Sequence, residues 1–537
     1  MPARKRSTRK RSANATSEST YKVKASRGRA AAGETYKPDS PKKRARSALP
    51  EMMEPRPKTT TRYPISNEEF ERLKAKAKTA RLAKVQATAA KDATPKRRVG
   101  AKSLAPQAQG AEPVAAPAPS SNFAGITATG WLPPDCTMAV GPSHVLASVN
   151  SSVAIYSKTG TSQLQRTLTQ WFANVATGLT IFDPKALYDQ HAGRWVLMAV
   201  AINNTSKVSV HLLSVSATSN PLGSWRNYTF NARLNGNTNT NNWADFPNIG
   251  VDNQALYITS NMFAFGGGFQ YASIRVIPKA GPYAGGAAPY FDFSNLKNAN
   301  GTTAFTIQPC HTFGAPGVEY LVNTMFPSGN TMSVWRIVNG GTTPVITRTQ
   351  VTVSPYSLAP NAEQPGGGPQ LNTGDIRVLH AVFRGDSIWT SFTTAHQWTA
   401  GGPNRASVQW CQIRAASPTV VQQGVYGAGS AHYFYPAMCP DANGNVTMVF
   451  SRSGTTIFGQ MGFTGRRATD ALGTLQGSAV LKAGVAKYVG LDSGGRNRWG
   501  DYNGVCADPA NGRVIWMYSM FASAVNTWGT WVGSSFF

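Results

Sequence analysis

Beyond residue 104 the chain is nearly devoid of glutamate, with only Glu112, Glu319 and Glu363. It is also poor in charge of either sign. Five cysteines are few for 537 residues and odd in number (Cys136, Cys310, Cys411, Cys439, Cys506), with no Cys-x-x-Cys pair and no zinc-ligand spacing. They are expected to be small apolar core residues, with one or two disulfides as the alternative. No stretch approaches the roughly 18–20 apolar residues that a membrane-spanning helix needs. The seven histidines include no His-x-x-x-His pair. A Gly-x-Ser-x-Gly elbow and a phosphate-cradling glycine loop are also missing. The glycines at 266–268 and 366–368 read as loops, and Asp441, Asn443 and Asn445 lack the downstream acid of a calcium loop. No cofactor and no metal are expected.

What is present divides sharply along the chain. Residues 1–104 carry 29 Lys+Arg against 9 Asp+Glu, and the remainder carries 24 against 16, so +20 of the +28 net charge lies in one fifth of the sequence. This segment has no aliphatic clusters and no strand alternation. It is expected to be a disordered polybasic tail, unable to bury enough apolar surface to offset its ordering entropy. One short helix is expected within 67–88: Ser66 with Glu69 forms a capping box, and Phe70, Leu73 and Ala77 share a face. Residues 105–121 read as a Pro/Ala linker. The runs Arg4, Lys5, Arg6; Lys42, Lys43, Arg44; and Lys96, Arg97, Arg98 invite non-specific attraction to nucleic acid or another polyanion, or a sorting role. The first residues are positively charged, but no apolar region of a signal peptide follows.

Residues 122–537 are rich in Gly, Asn, Thr, Val and Trp, the composition of short strands and tight turns. A faint repeat recurs seven times: a Pro- or Asp-marked approach, a short apolar strand, a turn, a strand of about five apolar residues, a loop and another strand. The approaches include Asp135, Asp183 with Pro184, Phe246 with Pro247, Asp375, Tyr435 with Pro436, and Asp501. A period of about 60 residues suits blades with long loops. The expected fold is therefore all-β, a seven-bladed β-propeller with six to eight blades allowed. Its terminal strand, over 528–537, is expected to close the ring. Asn443 with Gly444 and Asn511 with Gly512 signal two-residue hairpins.

Four segments carry a resemblance: 183–195, 219–225, 245–252, and the run Arg498, Trp499, Gly500, Asp501, Tyr502 with Asp508 and Pro509 downstream. They resemble a family of uncharacterised bacterial propeller proteins, mostly secreted or surface-displayed and sialidase-like in shape. The resemblance implies the architecture and an extracellular or surface location, from which the basic tail departs. A sialidase would show repeated Asp-box hairpins. The nearest approach, 451–456, lacks the Asp and the Trp. Arg377, Arg405 and Arg498 are the nominees for a convergent arginine set.

Asp183, Asp245, Asp375 with Arg377, and Arg498 with Asp501 and Tyr502 occupy similar points in their units. Two readings stand side by side: a structural seam in which Trp499 and Tyr502 pack between blades over an Arg498–Asp501 ion pair, or a ligand site on the axis. Three functions are weighed. The first is non-catalytic recognition of a glycan or protein, with Trp243, Trp398 and Tyr433 as exposed stacking residues. The second is glycan hydrolysis, which requires carboxylates converging on the axis. The third is a nucleic-acid-associated structural role for the tail.

Overall fold

The computed structural model describes residues 25–37, 62–78 and 116–537. The basic runs at 4–6, 42–44 and 96–98, and most of the linker, lie outside the described residues. The body is an all-β propeller. Five sheets of four or five antiparallel strands follow one another, together with one ten-stranded sheet. In the first sheet, Thr137–Val140 pairs His144–Val149, which pairs Ser152–Ser157 and then Ser162–Thr167. The second runs Thr180–Asp189, Arg194–Asn203, Val208–Ser216, Trp225–Asn231. In each the first strand is short or kinked and the second nearly all buried, as expected of strands packed on both faces. The ten-stranded sheet holds two antiparallel groups, Asn242–Val251 to Ala287–Phe293 and His380–Arg384 to Thr419–Tyr426. The two-residue strand His311–Thr312 joins them through parallel pairs. Large aromatics fill the space between sheets, with Trp171, Trp195, Trp225, Trp335, Trp410, Trp499 and Trp528 fully buried. All five cysteines are buried and free.

The last sheet is closed by strands from the two ends of the propeller body, as expected of the strand over 528–537. β3 (Pro119–Thr127) lies outermost and pairs Thr527–Phe536, so the Pro/Ala stretch gives way to strand before residue 121. The tail is also more ordered than its composition suggests. β1 (Ser26–Ala32) adds to the edge of Ala287–Phe293, and β2 (Glu34–Tyr36) to the edge of Trp225–Asn231. The reason is that a strand docking on an existing edge needs backbone hydrogen bonds and a close fit, not a core of its own. Gly28 supplies the fit: a Cβ there would lie 2.3 Å from the Tyr290 ring, and at Gly33 2.4 Å from that of Tyr228. The anticipated helix is α1 (Asn67–Ala77), capped by Ser66 Oγ accepting from the Glu69 amide. Glu69 turns to Arg72 and does not complete a capping box. Phe70 and Ala77 are buried as expected, and so is Lys74.

The inner strands share a backbone device. Asp135, Asp183, Phe246, Thr306 and Tyr435 have φ of 52, 49, 51, 49 and 51°, and Gly374 has 63°. Three of these residues precede proline and fall in register breaks, between Phe182 and Lys185, Asp245 and Asn248, and Phe434 and Ala437. A bulge tolerates proline because no ladder amide is needed there. The freed amides are satisfied from the preceding sheet: Asp183 N–H donates to Asn150 Oδ1 (2.7 Å), Thr306 N–H to Asn261 Oδ1 (2.8 Å) and Tyr435 N–H to Thr393 Oγ1 (3.0 Å).

The expected Asn-Gly hairpins are built differently. Asp441 Oδ1 accepts from the amides of Asn443 and Asn445, and Asp508 Oδ1 from those of Ala510 and Asn511. Of the four Asn and Gly residues only Gly444 has positive φ, so an Asx-type turn has replaced the mirror-image hairpin.

Asn150 is fully buried and also donates from Nδ2 to Pro133 O (3.0 Å) and Asp135 Oδ2 (2.6 Å). Asn150→Ala strands an amide and a carboxyl at once, and is expected to lower stability by about 2–4 kcal/mol in urea unfolding. A loss near zero would show that the stitch between sheets carries no stability.

Candidate functional site at the propeller axis

The entrance residues of the inner strands aim their side chains at one place. Asp135 Oδ1 accepts from the Asp501 amide and its Oδ2 from Asn150, both at 2.6 Å. Arg498 Nη2 donates to Asp501 Oδ2 at 2.8 Å. Arg377 grips Asp375 with Nε (2.9 and 3.0 Å) and Nη2 (2.8 Å). Its guanidinium stands 4.3 Å from the Phe246 ring centroid and 4.7 Å from that of Phe305. Lys185 Nζ lies 3.0 Å from the centre of the Tyr502 ring, whose hydroxyl donates to Pro184 O. Below this cluster runs a cavity of about 50 Å³, lined by inner-strand residues of several sheets, among them Met138, Lys185, Asn248, Gln308, His380 and Val505. Lining by strands so far apart in sequence places it on the axis.

Burial governs the charge state. The Asp135 carboxyl is pushed up to about 8 by burial and then by the Asp501 charge. Burial, then Asp135, Asp245 and Asp501, raise Asp183 well above the ordinary carboxylate value. Burial takes Asp245 to about 6, opposed by Arg62. Desolvation lowers the Lys185 ammonium to about 7 and the His380 imidazole to about 4. The cluster therefore limits its own charge, since like carboxylates in low dielectric cannot all ionise.

Asp183, Asp245, Asp375, Arg377, Arg498, Asp501 and Tyr502 are all brought into this one buried neighbourhood. Trp499 packs between sheets, donating from Nε1 to Ser451 Oγ, and Arg498 pairs with Asp501, so the seam geometry is present at the same place. Arg405 lies apart, paired with Glu363 at 2.7 Å. Trp243 and Tyr433 are not exposed stacking residues but 8% and 4% accessible; Trp398 is half-buried. Trp243 and Tyr433 lie on the strands Asn242–Val251 and His432–Pro440 and pack inward, because aromatic area is worth more buried than wet. Asp135, Lys185 and Tyr63 are additional members. Asp135 could have been found from its place, which matches that of Asp183 in the next unit. Among the described residues no group of three or more His, Cys, Asp or Glu is placed to hold a metal ion.

No protein-family model and no curated protein sequence matches the chain. Solved structures similar to it include the extracellular domains 1–2 of Drosophila semaphorin 1b, at 9% identity and TM-score 0.34 over 79% of this chain and 88% of that one. The native Bacillus subtilis arabinanase Arb43A gives 12% and 0.26 over 65% and 94%. The α-L-arabinofuranosidase Arb93A from Fusarium graminearum gives 10% and 0.36 over 77% and 97%. At these values the likenesses transfer no activity, and the resemblance to a bacterial family carries the propeller architecture and nothing finer.

Unfolded, Asp135 ionises near 3.8; folded, near 8. Between those values the fold holds a proton that the unfolded chain has released, so this group costs stability as pH rises from about 4 to 8 and adds no further slope above. Asp135→Asn removes that slope. Its stability relative to the unmodified chain is expected to climb with pH over this window, by at most about 1.4 kcal/mol per unit. A pH-independent difference in chemical denaturation would show that the carboxyl ionises normally.

Proposed function

We propose that the chain is a seven-bladed recognition propeller that binds a glycan at its axial mouth. The count of seven divides the ten-stranded sheet at His311–Thr312 into two blades. The observation that carries the binding reading is the convergence on one axis of Asp183, Asp245, Asp375 and Asp501 with Arg377 and Arg498, edged by the rings of Phe246, Tyr435 and Tyr502. Fixed carboxylates and guanidinium groups match vicinal hydroxyls as acceptors and donors, and aromatic faces suit the apolar side of a sugar ring.

Hydrolysis is the second reading, and one observation favours it. With Asp135 near 8 and Asp245 near 6, one carboxyl holds a proton at neutral pH while the other is largely ionised. That is the complement a general acid and base require. Recognition comes first because both oxygens of Asp135 already accept structural hydrogen bonds.

Affinity electrophoresis of the full-length chain against a panel of soluble polysaccharides is expected to show retardation by at least one of them. Arg377→Gln is expected to weaken it about tenfold or more, the scale of a lost charge-assisted contact. Absence of retardation by every polysaccharide, with a folded protein, overturns the glycan reading. If reducing ends are released, Asp135→Asn and Asp245→Asn should each slow release by about a hundredfold; release that both variants leave unchanged would remove hydrolysis from this cluster.

A further inference from the structure

The axial mouth is shut. Between the cluster and Tyr63 only about 10 Å³ remains, lined by Phe246, Asp375, Arg377, Tyr435 and Asp501 as well as Tyr63 itself. A ligand pocket for a sugar is of the order of 300 Å³ or more. Of these lining residues only Tyr63 comes from outside the stretch 116–537 that forms the propeller body. It belongs to the segment 62–78, which no strand pairing joins to any sheet among the described residues.

That segment is held by side chains. The Tyr63 ring stacks on Phe70 with centroids 3.4 Å apart and planes 10° from parallel. Phe70 is fully buried against the apolar cluster that also contains Leu358, Val378 and Phe392. Arg377 Nη2 donates to Arg62 O (3.0 Å), Lys74 Nζ to Thr373 Oγ1 (2.7 Å) and Gly374 O (2.8 Å), and Asn404 Nδ2 to Ala77 O (2.7 Å).

Several polar groups in this contact are poorly served. Tyr63 Oη and Glu71 Oε1 are buried with no hydrogen-bond partner, and so is Arg377 Nη1 beneath them. Lys74 is 3% accessible, yet no carboxylate of the described residues comes within salt-bridge distance of its ammonium. Polar groups left buried and unpaired weaken the contact that buries them. Arg377 Nη1 is moreover a donor, on a side chain 95% buried that lines the closed pocket, with no acceptor for it among the described residues.

We propose that residues 62–78 are a displaceable plug that occupies the axial mouth in cis, the Tyr63 ring filling the place of a sugar ring, and must leave before a polyhydroxy ligand reaches Asp375, Arg377 and Asp501. This rests on the glycan reading of the site. Covalent attachment lets a weak contact keep the mouth closed, because it makes the closing event intramolecular. A ligand hydroxyl that satisfies Arg377 Nη1 gains what the plug leaves unmade, which makes the exchange of one for the other feasible.

Hydrogen exchange by mass spectrometry on the full-length chain tests this. Amides in 62–78 are expected to exchange at least about a hundredfold faster than those of Arg194–Asn203 and Val514–Ala524, as a locally opening unit does. Exchange only at the rate of those strands overturns the plug. In Phe70→Asp, the segment and the underlying loop 371–379 are expected to lose protection by about tenfold or more while those strands keep theirs. Retained protection at 371–379, or collapse of protection throughout the propeller, also overturns it. Retardation by whichever polysaccharide binds the unmodified chain should strengthen about tenfold in Phe70→Asp; unchanged retardation with an open 371–379 means that the segment does not gate that site, and overturns the plug. Opening of 371–379 with no polysaccharide bound by either protein sinks the glycan reading alone and leaves the displaceable segment standing.

Discussion

Everything at the axis depends on a left-handed residue at the entrance of the inner strands. For Asp this conformation is tolerable, but for a β-branched Thr306 or a bulky Phe246 or Tyr435 it is costly. Such residues persist only where the surroundings over-determine them. Here the surroundings are the neighbouring sheet: Thr306 is held on both sides by Asn261, whose Oδ1 accepts its amide and whose Nδ2 donates to its hydroxyl. One constraint thus does two things. It stitches consecutive sheets together, and it sets Asp135, Asp183, Phe246 and Tyr435 around the same axial space.

The accumulation of acid there has an energetic consequence. Asp135, Asp183 and Asp245 are each less than a tenth accessible, and desolvation is the first cause of each raised pKa. The guanidinium groups of Arg377 and Arg498 are committed to Asp375 and Asp501. Of the remaining carboxyls, Asp135 keeps its proton at neutral pH, and burial pushes Asp183 the same way. Lys185, lying over the Tyr502 ring, holds its charge less firmly for the same reason. A cluster assembled this way is tolerable to the fold only because part of it is neutral.

Much of this was legible before any coordinates. Repetition of short strands exposed the propeller, and the C-terminal strand was the evident closing partner. Recurrence of Asp at one point in five of the seven units (Asp135, Asp183, Asp245, Asp375, Asp501) pointed to most of the cluster. What escaped has a common physical root: sequence patterns report local preference, and these features are settled by distant surfaces. Gly28 makes an edge strand of an unpromising basic segment only because Tyr290 lies beneath it. Trp243 and Tyr433 sit in loops by pattern but in packed interfaces by topology. Tyr63 carries no local sign that it would reach the axis. Asn511 and Gly512 form a sound hairpin dipeptide, overruled by the Asp508 carboxylate.

The ring is fastened by a pairing between the two ends of the body: Ser120 Oγ lies 2.7 Å from Ser534 Oγ, 414 residues later. During synthesis, β3 emerges early and waits with an unpaired edge until Thr527–Phe536 has been added. Long-range pairing of this kind is slow because its loop-closure entropy is met last. A chain that stops before Thr527 would therefore yield a nearly complete set of sheets with no clasp, and an open edge available to other chains.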